Sequence, residues 1–313
     1  MRSLSLTLVA ATLVALAAPA AAQELAHFRQ AQILEVMERR TGALEDLPEV
    51  HYDYWVVEQD SRLEARLSLL RHVGEENRGL IQLLNRNDLE NLALGDTLVI
   101  PTDPNADFRA YAPFPKFWPG ASDIDKVVVL DKYVQAFAAY EWGRLERWGI
   151  INTGTESSRT PSGRFNVNWK QDYRVSTLSP PGEPWEMYWV MNLHEGRGIH
   201  MHQYALPMGG PISRGCIRLS DPDARFLYAW TDTWTKTGGS PISSAGSTVH
   251  ALGTMVLVIG QDIEGMPNPF IYREDYPVLK RVHLPHDPYE VPAGTALQER
   301  FDRQRQQQLA AGR

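Results

Sequence analysis

From Asp123 to about Gln261 the chain is written in short β-rich runs separated by turn residues, and this rhythm limits the possible folds more than any other feature. The run "KVVVLDKYVQAFAAYEWG" reads as two strands about an Asp-Lys turn, and "GRFNVNW", "EMYWVMNL", "RGIHMH" and "GTMVLVIG" supply more. A single clear helix interrupts them. In "SDPDARFLYAWTDTW" an acceptor cap falls at Asp221, Pro222 takes the first helical position and Asp223 lies in the first turn. Residues 123–261 are therefore expected to form a mainly β domain with one prominent helix.

The first residues suggest the compartment. "MRSLSLTLVAATLVALAAPAAAQ" has one early positive charge at Arg2, an apolar run and an A-x-A site before Gln23, the pattern of a secretory signal over residues 1–22. The run is too short and too rich in small residues for a good membrane span, so the expected product is exported, without an integral membrane segment after signal cleavage. What remains, about 290 residues, is comfortable for two domains. The formal net charge of −7 argues against a nucleic-acid partner. Nine tryptophans and twelve tyrosines suit a packed core or a cleft for sugar or peptide, and composition does not choose between them.

Within residues 23–50, Glu24 to Thr41 reads as a helix with Phe28, Ala31, Leu34 and Met37 on one stripe. Residues 51–102 form a compact unit. Tyr54 to Val57 reads as a strand, Leu63 to Leu70 and Leu80 to Leu84 as helices broken at "NRND", and "GDTLVIP" as a turn and closing strand. That order resembles a LysM peptidoglycan-binding module. The likeness rests on Leu84, Asn85, Leu94, Gly95, Leu98, Ile100 and Pro101; the first half departs, with Gln59-Asp60-Ser61-Arg62-Leu63 where the family has a Gly-Asp-Thr-Leu turn. The resemblance implies glycan as a partner; the bland alternative is a small α/β spacer. Residues 103–122, rich in Pro, Gly and aromatics, read as a linker whose aromatics lie against a neighbouring domain. Residues 262–313 read as a Pro-containing arm and a polar, helix-prone tail with no legible chemistry.

Cys216 is the chain's one cysteine. Exported proteins usually pair their thiols, and a single thiol cannot close a bridge within the chain. It is either an incidental buried residue or a reactive one. A reactive thiol needs a base, and histidine is the usual choice. His200 lies on a strand-like run sixteen residues upstream, across the glycine-rich "MGGPISRG". Gly215 allows a tight backbone approach, so its amide and that of Cys216 can form an oxyanion hole. Arg218 would share the side of Cys216 in an extended segment.

"ISRGCIRL" is similar to the Ser-His-Gly-Cys-Ile-Arg signature of the L,D-transpeptidases, the YkuD-type catalytic domain. "GIH" resembles that family's histidine segment, "RTPSGRF" its Thr-Pro-x-Gly-x-Phe stretch, "RLSDPDARFLY" its helix after the cysteine and "LGTMVLVI" its late strand. The resemblance implies a β-sandwich catalytic domain and peptidoglycan stem peptides as substrate. It implies Cys216 as nucleophile, His200 as base, and Ser213, Gly215 and Arg218 on the remaining signature positions, with no metal or organic cofactor. Arg214 stands where the family has histidine, and Met201 where glycine or serine is common. Arginine cannot act as a base at neutral pH, so Arg214 is expected to support the loop or the substrate site and, where its guanidinium lies near Cys216, to favour the thiolate. His202 is expected along the substrate site and His194 in a loop or cleft wall.

The expected activity is thus an exported transpeptidase of the periplasm or cell envelope, joining stem peptides through a cysteine thioester. Three other readings stay open: an L,D-carboxypeptidase or amidase using water, attachment of an envelope protein to peptidoglycan, and a peptidoglycan-binding structural protein. A zinc site on His194, His200 and His202 is disfavoured, because the spacings of six and two with glycines between do not fit the helical motif.

Overall fold

The computed structural model describes residues 35–206, 210–263 and 280–312. The signal-like segment lies outside the described residues, as does most of the helix expected at Glu24 to Thr41; residues 35–37 are helical, with Val36 and Met37 buried. Strand β1 (Tyr52–Val56) leads to helices α1 (Arg62–Val73) and α2 (Arg78–Asn85), and β2 (Thr97–Pro101) returns antiparallel to β1. The strand, helix, helix, strand order is the one read from the sequence. Ser61 starts α1 by accepting the Glu64 amide, and Gly74, at φ +88°, ends it where a side chain would be strained. Helix α2 is buried along almost its whole length, and its polar Asn85 is paired there, donating to Ile81 O and Val99 O and accepting the Val99 amide.

The remaining strands are β3 (Lys126–Asp131), β4 (Ala136–Glu141), β5 (Arg144–Ile150), β6 (Gly163–Asn166), β7 (Lys170–Val175), β8 (Glu186–His194), β9 (Ile199–Gln203) and β10 (Ile217–Leu219). Helix α3 (Asp221–Trp230) and strands β11 (Thr235–Gly238), β12 (Ser247–Ala251) and β13 (Met255–Ile259) follow, then helix α4 (Ala296–Ala310). One sheet has the order β5-β4-β3-β13-β6 and a second β10-β9-β8-β7; β11 and β12 form a separate hairpin. The domain is mainly β, as expected, and its two large sheets face each other. Val128, Leu130, Val256 and Val258 of the first meet Met191, Leu193, Met201 and Ile217 of the second, with Ala224 and Leu227 of α3 in the same core.

The alternate residues of the same strands do equal work on the opposite face. Val127, Val129, Tyr140, Trp148 and Leu257 share one apolar cluster with Leu69, Leu80 and Leu84 of the N-terminal unit. Both faces of this sheet are therefore buried, and its strands β3, β4 and β13 read as nearly continuous apolar runs rather than as alternation. Residues 103–122 contribute Phe108, Tyr111, Phe114 and Trp118 to the same cluster. Phe108 stacks on Trp148 at 4.7 Å with the planes 3° apart, and the Trp148 indole N–H donates to the Phe108 carbonyl at 2.8 Å. Arg86 reaches across from the N-terminal unit to the Gln135 carbonyl at 2.5 Å; burial alone lowers its guanidinium to about 9.

Helix α3 starts one residue earlier than expected. Its cap is Ser220, whose hydroxyl accepts the Asp223 amide at 3.3 Å, and Asp221 already lies inside. The Asp223 carboxylate is buried against Arg147 Nε at 2.7 Å and the Ser220 hydroxyl at 2.6 Å. A Cβ on Gly149 would sit 2.5 Å from that carboxylate, so only glycine lets β5 and α3 approach this closely. The C-terminal arm, silent in the sequence, covers the free side of edge strand β6. Arg164 N–H donates to Pro292 O at 2.7 Å, and Gly294 N–H to Arg164 O at 2.8 Å. An open edge that would pair with another chain is thereby closed. Among the described residues no helix is long and apolar enough to cross a membrane.

Candidate active site

Cys216 sits at the end of the β9–β10 connection, in a loop tied down on three sides. Ser213 N–H donates to Thr153 O and Thr155 N–H to Ser213 O, both at 2.9 Å. The buried Ser213 hydroxyl donates to the Cys216 carbonyl at 2.5 Å and accepts the Gly215 amide at 3.1 Å. Gly215 has φ +107°, and a Cβ there would lie 3.1 Å from Ile199 Cδ1. Behind it stands Gly154, where a Cβ would fall 2.9 Å from Gly215 Cα. The Thr160 hydroxyl joins the two glycines: it accepts the Gly154 amide at 2.9 Å and donates to Gly215 O at 2.8 Å. The "RTPSGRF" stretch thus acts at the site through Thr160, which the sequence reading quoted without assigning it a task.

His200 comes from β9. That strand places Ile199 and Met201 in the core between the sheets and turns His200 and His202 into the cleft, the period-two alternation of a strand. His200 Nδ1 stands 3.7 Å from Cys216 Sγ, and the sulfur also lies 3.6 Å from Gly198 O. The imidazole leans on Trp169, with ring centres 5.3 Å apart. Burial lowers His200 to about 3, with smaller contributions from His202 and the positive charge of Arg174. Burial likewise raises the Cys216 thiol above its ordinary value, opposed by a backbone contact at His200 and by Arg218. At neutral pH the resting pair is a thiol beside a neutral imidazole, not a thiolate–imidazolium pair.

The cleft in front of the pair measures ≈ 600 Å³ and is walled by Trp169, Trp185, Met187 and the loop Ile242 to Ala245. His202 lines it, with Nδ1 2.9 Å from Gln203 O and burial lowering it to about 4. Arg218 stands in register with His202 on the paired strand and bears on Cys216. His194 lies apart, in contact with Phe165 at 6.1 Å. Two expectations change. Arg214 is exposed and stacks on Trp185 at 4.7 Å, and the cation acting on Cys216 is Arg218. The left-handed turn at Gly215 directs the residue before it outward. The Gly215 amide, expected as an oxyanion donor, is given to the Ser213 hydroxyl at 3.1 Å. Among the described residues no group of three His, Cys, Asp or Glu side chains is placed to hold a metal ion. Trp169, Trp185 and Arg174 were not foreseen. Strand β7 and the approach to β8 bring them in, and no local motif marks them.

Residues 125–258 match the family model of YkuD, the L,D-transpeptidase catalytic domain. Over 102 residues the chain is 29% identical to an L,D-transpeptidase YkuD of Bacillus licheniformis, a match covering 33% of this chain and 58% of the relative. The chain therefore spans little more than half the length of that relative. Among solved structures it is similar to an L,D-transpeptidase from Mycobacterium smegmatis (18% identity, 43% of this chain and 58% of the other, TM-score 0.33). It is likewise similar to one from Stackebrandtia nassauensis (19% identity, 44% and 56%, TM-score 0.33).

Two outcomes follow from the geometry. Thr160→Val removes both hydrogen bonds and leaves a buried amide and carbonyl unpaired, a loss of about 1–3 kcal/mol. Urea unfolding should show that loss, and alkylation of Cys216 should slow because the sulfur is no longer held at His200. Thr160→Ser should restore both; an unchanged alkylation rate in Thr160→Val would remove Thr160 as a positioning residue. The second outcome concerns acid. His200 and His202 titrate near 6.5 when unfolded and at about 3 and about 4 when folded. Below pH 6.5 the unfolded chain binds more protons, so stability present above that pH is lost as pH falls towards the folded values. The slope approaches about 1.4 kcal/mol per pH unit for each histidine. Thermal melts from pH 7 to 5 should show it, and His202→Asn should flatten it; an identical slope in the variant contradicts the assignment.

Proposed function

We propose, from the YkuD L,D-transpeptidase catalytic domain matched at residues 125–258, that this chain is an exported cell-wall acyltransferase acting on peptidoglycan stem peptides. The observation that carries the reading is the Cys216–His200 pair, 3.7 Å apart at the wall of the cleft. A separation of this size suits a pair that tightens when substrate binds. Cys216 Sγ attacks the carbonyl carbon of the bond to the terminal D-residue and passes its proton to His200. A C–S bond forms. The Cys216 amide faces the developing oxyanion. As the C–N bond breaks, His200 returns the proton to the departing amine and a thioester remains. An acceptor amine then attacks the thioester and gives its proton to His200; a new C–N bond forms, the C–S bond breaks, and His200 returns the proton to sulfur, restoring the thiol. The signal-like residues 1–22 support a place in the periplasm or cell envelope.

Purified protein incubated with disaccharide-tetrapeptide should give cross-linked dimers by mass spectrometry, and Cys216→Ala should abolish them. Products formed by water alone would make it a carboxypeptidase. With no product of either kind the enzymatic reading fails, and a structural wall-binding role takes its place.

The LysM-like unit, residues 51–102, is proposed as a glycan anchor. Its deletion is no fair test, because it would uncover Val127, Val129 and Tyr140 of the catalytic sheet. Leu63 and Leu94 are exposed apolar residues on that unit. Leu63→Ser with Leu94→Ser should lower retention on insoluble peptidoglycan several-fold, and equal retention would leave the unit a spacer.

A further inference from the structure

The cleft holds more positive charge than the chemistry at Cys216 uses. Arg174, Arg197, Arg214 and Arg218 all line it, with Glu195 as the one acidic residue among the lining side chains. Glu195 is itself engaged, accepting the Ser244 amide at 2.9 Å and the Ser244 hydroxyl at 2.5 Å. Among the described residues none of the four arginines meets a carboxylate. Arg174 donates to the Gln171 side-chain oxygen at 2.9 Å and Arg197 to the Arg159 carbonyl at 3.4 Å, both neutral acceptors. The whole chain carries a formal net charge of −7, so the positive cleft is a local arrangement against the prevailing sign.

These guanidiniums are oriented as well as uncompensated. Arg214 lies over Trp185 at 4.7 Å, Arg174 over Trp169 at 5.4 Å and Arg218 over Tyr204 at 4.6 Å. An aromatic face holds the flat group by its charge and leaves the N–H edge for a ligand; that edge matches a carboxylate in two-point geometry. Gathering like charges in a partly desolvated cleft is unfavourable unless a ligand supplies the opposite sign. Arg218, half-buried and two residues from the nucleophile, acts on Cys216, whereas Arg174 and Arg214 lie over the two tryptophans of the cleft wall.

We infer that the cleft selects acyl donors bearing a free side-chain carboxylate at an outer position, away from the scissile bond, held by Arg174 and Arg214. Donors carrying a carboxamide at the outer position are rejected. The inference rests on the acyl-transfer reading and names the chemical class of peptide that the site takes.

Calorimetry with the Cys216→Ala variant separates recognition from turnover. Two tetrapeptide donors of one sequence, differing only in a side-chain carboxylate or carboxamide, are titrated in turn. The free acid should bind at least about tenfold more tightly, which corresponds to about 1.4 kcal/mol, and added salt should shrink the difference. Adding Arg174→Gln and Arg214→Gln should remove the preference, so that acid and amide bind this variant with equal affinity. Equal affinities for the two donors, binding of neither, or full preference in the arginine variant each overturn the inference. Parallel turnover by the unaltered protein tells the two failures apart. Equal use of both donors defeats only the selectivity, whereas loss of Cys216-dependent product from both defeats acyl transfer itself.

Discussion

Everything at the site depends on a sheet that has no free face. Strands β3, β4 and β13 pack one set of alternate side chains against β8, β9 and β10, and the other set against the N-terminal unit and residues 103–122. A sheet buried on both sides resists bending, because any movement opens voids in two cores at once. The nucleophile loop is fastened to this slab at Asn152 and Thr153, directly after β5. The clamp formed by Gly154, Thr160 and Gly215 is then a local refinement on a rigid support. Removing the N-terminal unit would uncover one face of the slab, so the unit is a structural partner of the catalytic sheet whatever else it binds.

The electrostatics of the pair follow from the same burial. His200 is 7% exposed, and its imidazole has lost the water that would favour the charged form. Cys216 loses solvent for its thiolate in the same way. The two effects oppose ion-pair formation from both ends, which keeps the sulfur protonated and shielded until a carbonyl carbon arrives. For a chain read as exported, a neutral thiol is also the less oxidisable form, since reactivity follows thiolate character. A lone cysteine with no resolving partner gains from that protection.

How much of this was legible in the sequence depended on how local the physics is. The apolar runs of β3, β4 and β13 declared themselves because both faces are buried. Strand β5, "RLERWGI", and strand β7, "KQDYRV", did not: their charged residues match exposed or half-exposed positions and imitate loops. The Cys216–His200 pair was legible through spacing and family likeness together. Thr160 was visible only as part of a motif, because its partner Gly215 lies 55 residues away. Arg214 lines the cleft, but Arg218 is the cation that acts on Cys216, and the reason is geometric. Adjacency in sequence suggested adjacency in space, but a backbone at φ +107° turns the chain between Arg214 and Cys216, and the guanidinium lands on the indole of Trp185, just before β8. The covered edge of β6 was illegible for a similar reason, since the arm that closes it pairs through backbone groups, which carry no residue signature.

The cationic cleft and the neutral pair are linked through Arg174. Its charge is one of the causes that keep His200 low. A carboxylate seated on Arg174 cancels that contribution, so the imidazole becomes a stronger proton acceptor at the moment a donor peptide occupies the site. Exclusion of water by the same peptide strengthens the attraction between a nascent thiolate and imidazolium that face each other across the closing gap. Arg218 acts in the complementary sense, since its charge favours the thiolate form of Cys216. On the proposed acyl-transfer reading, a carboxylate on Arg174 favours the base while Arg218 favours the nucleophile, although burial remains the main cause that keeps His200 low.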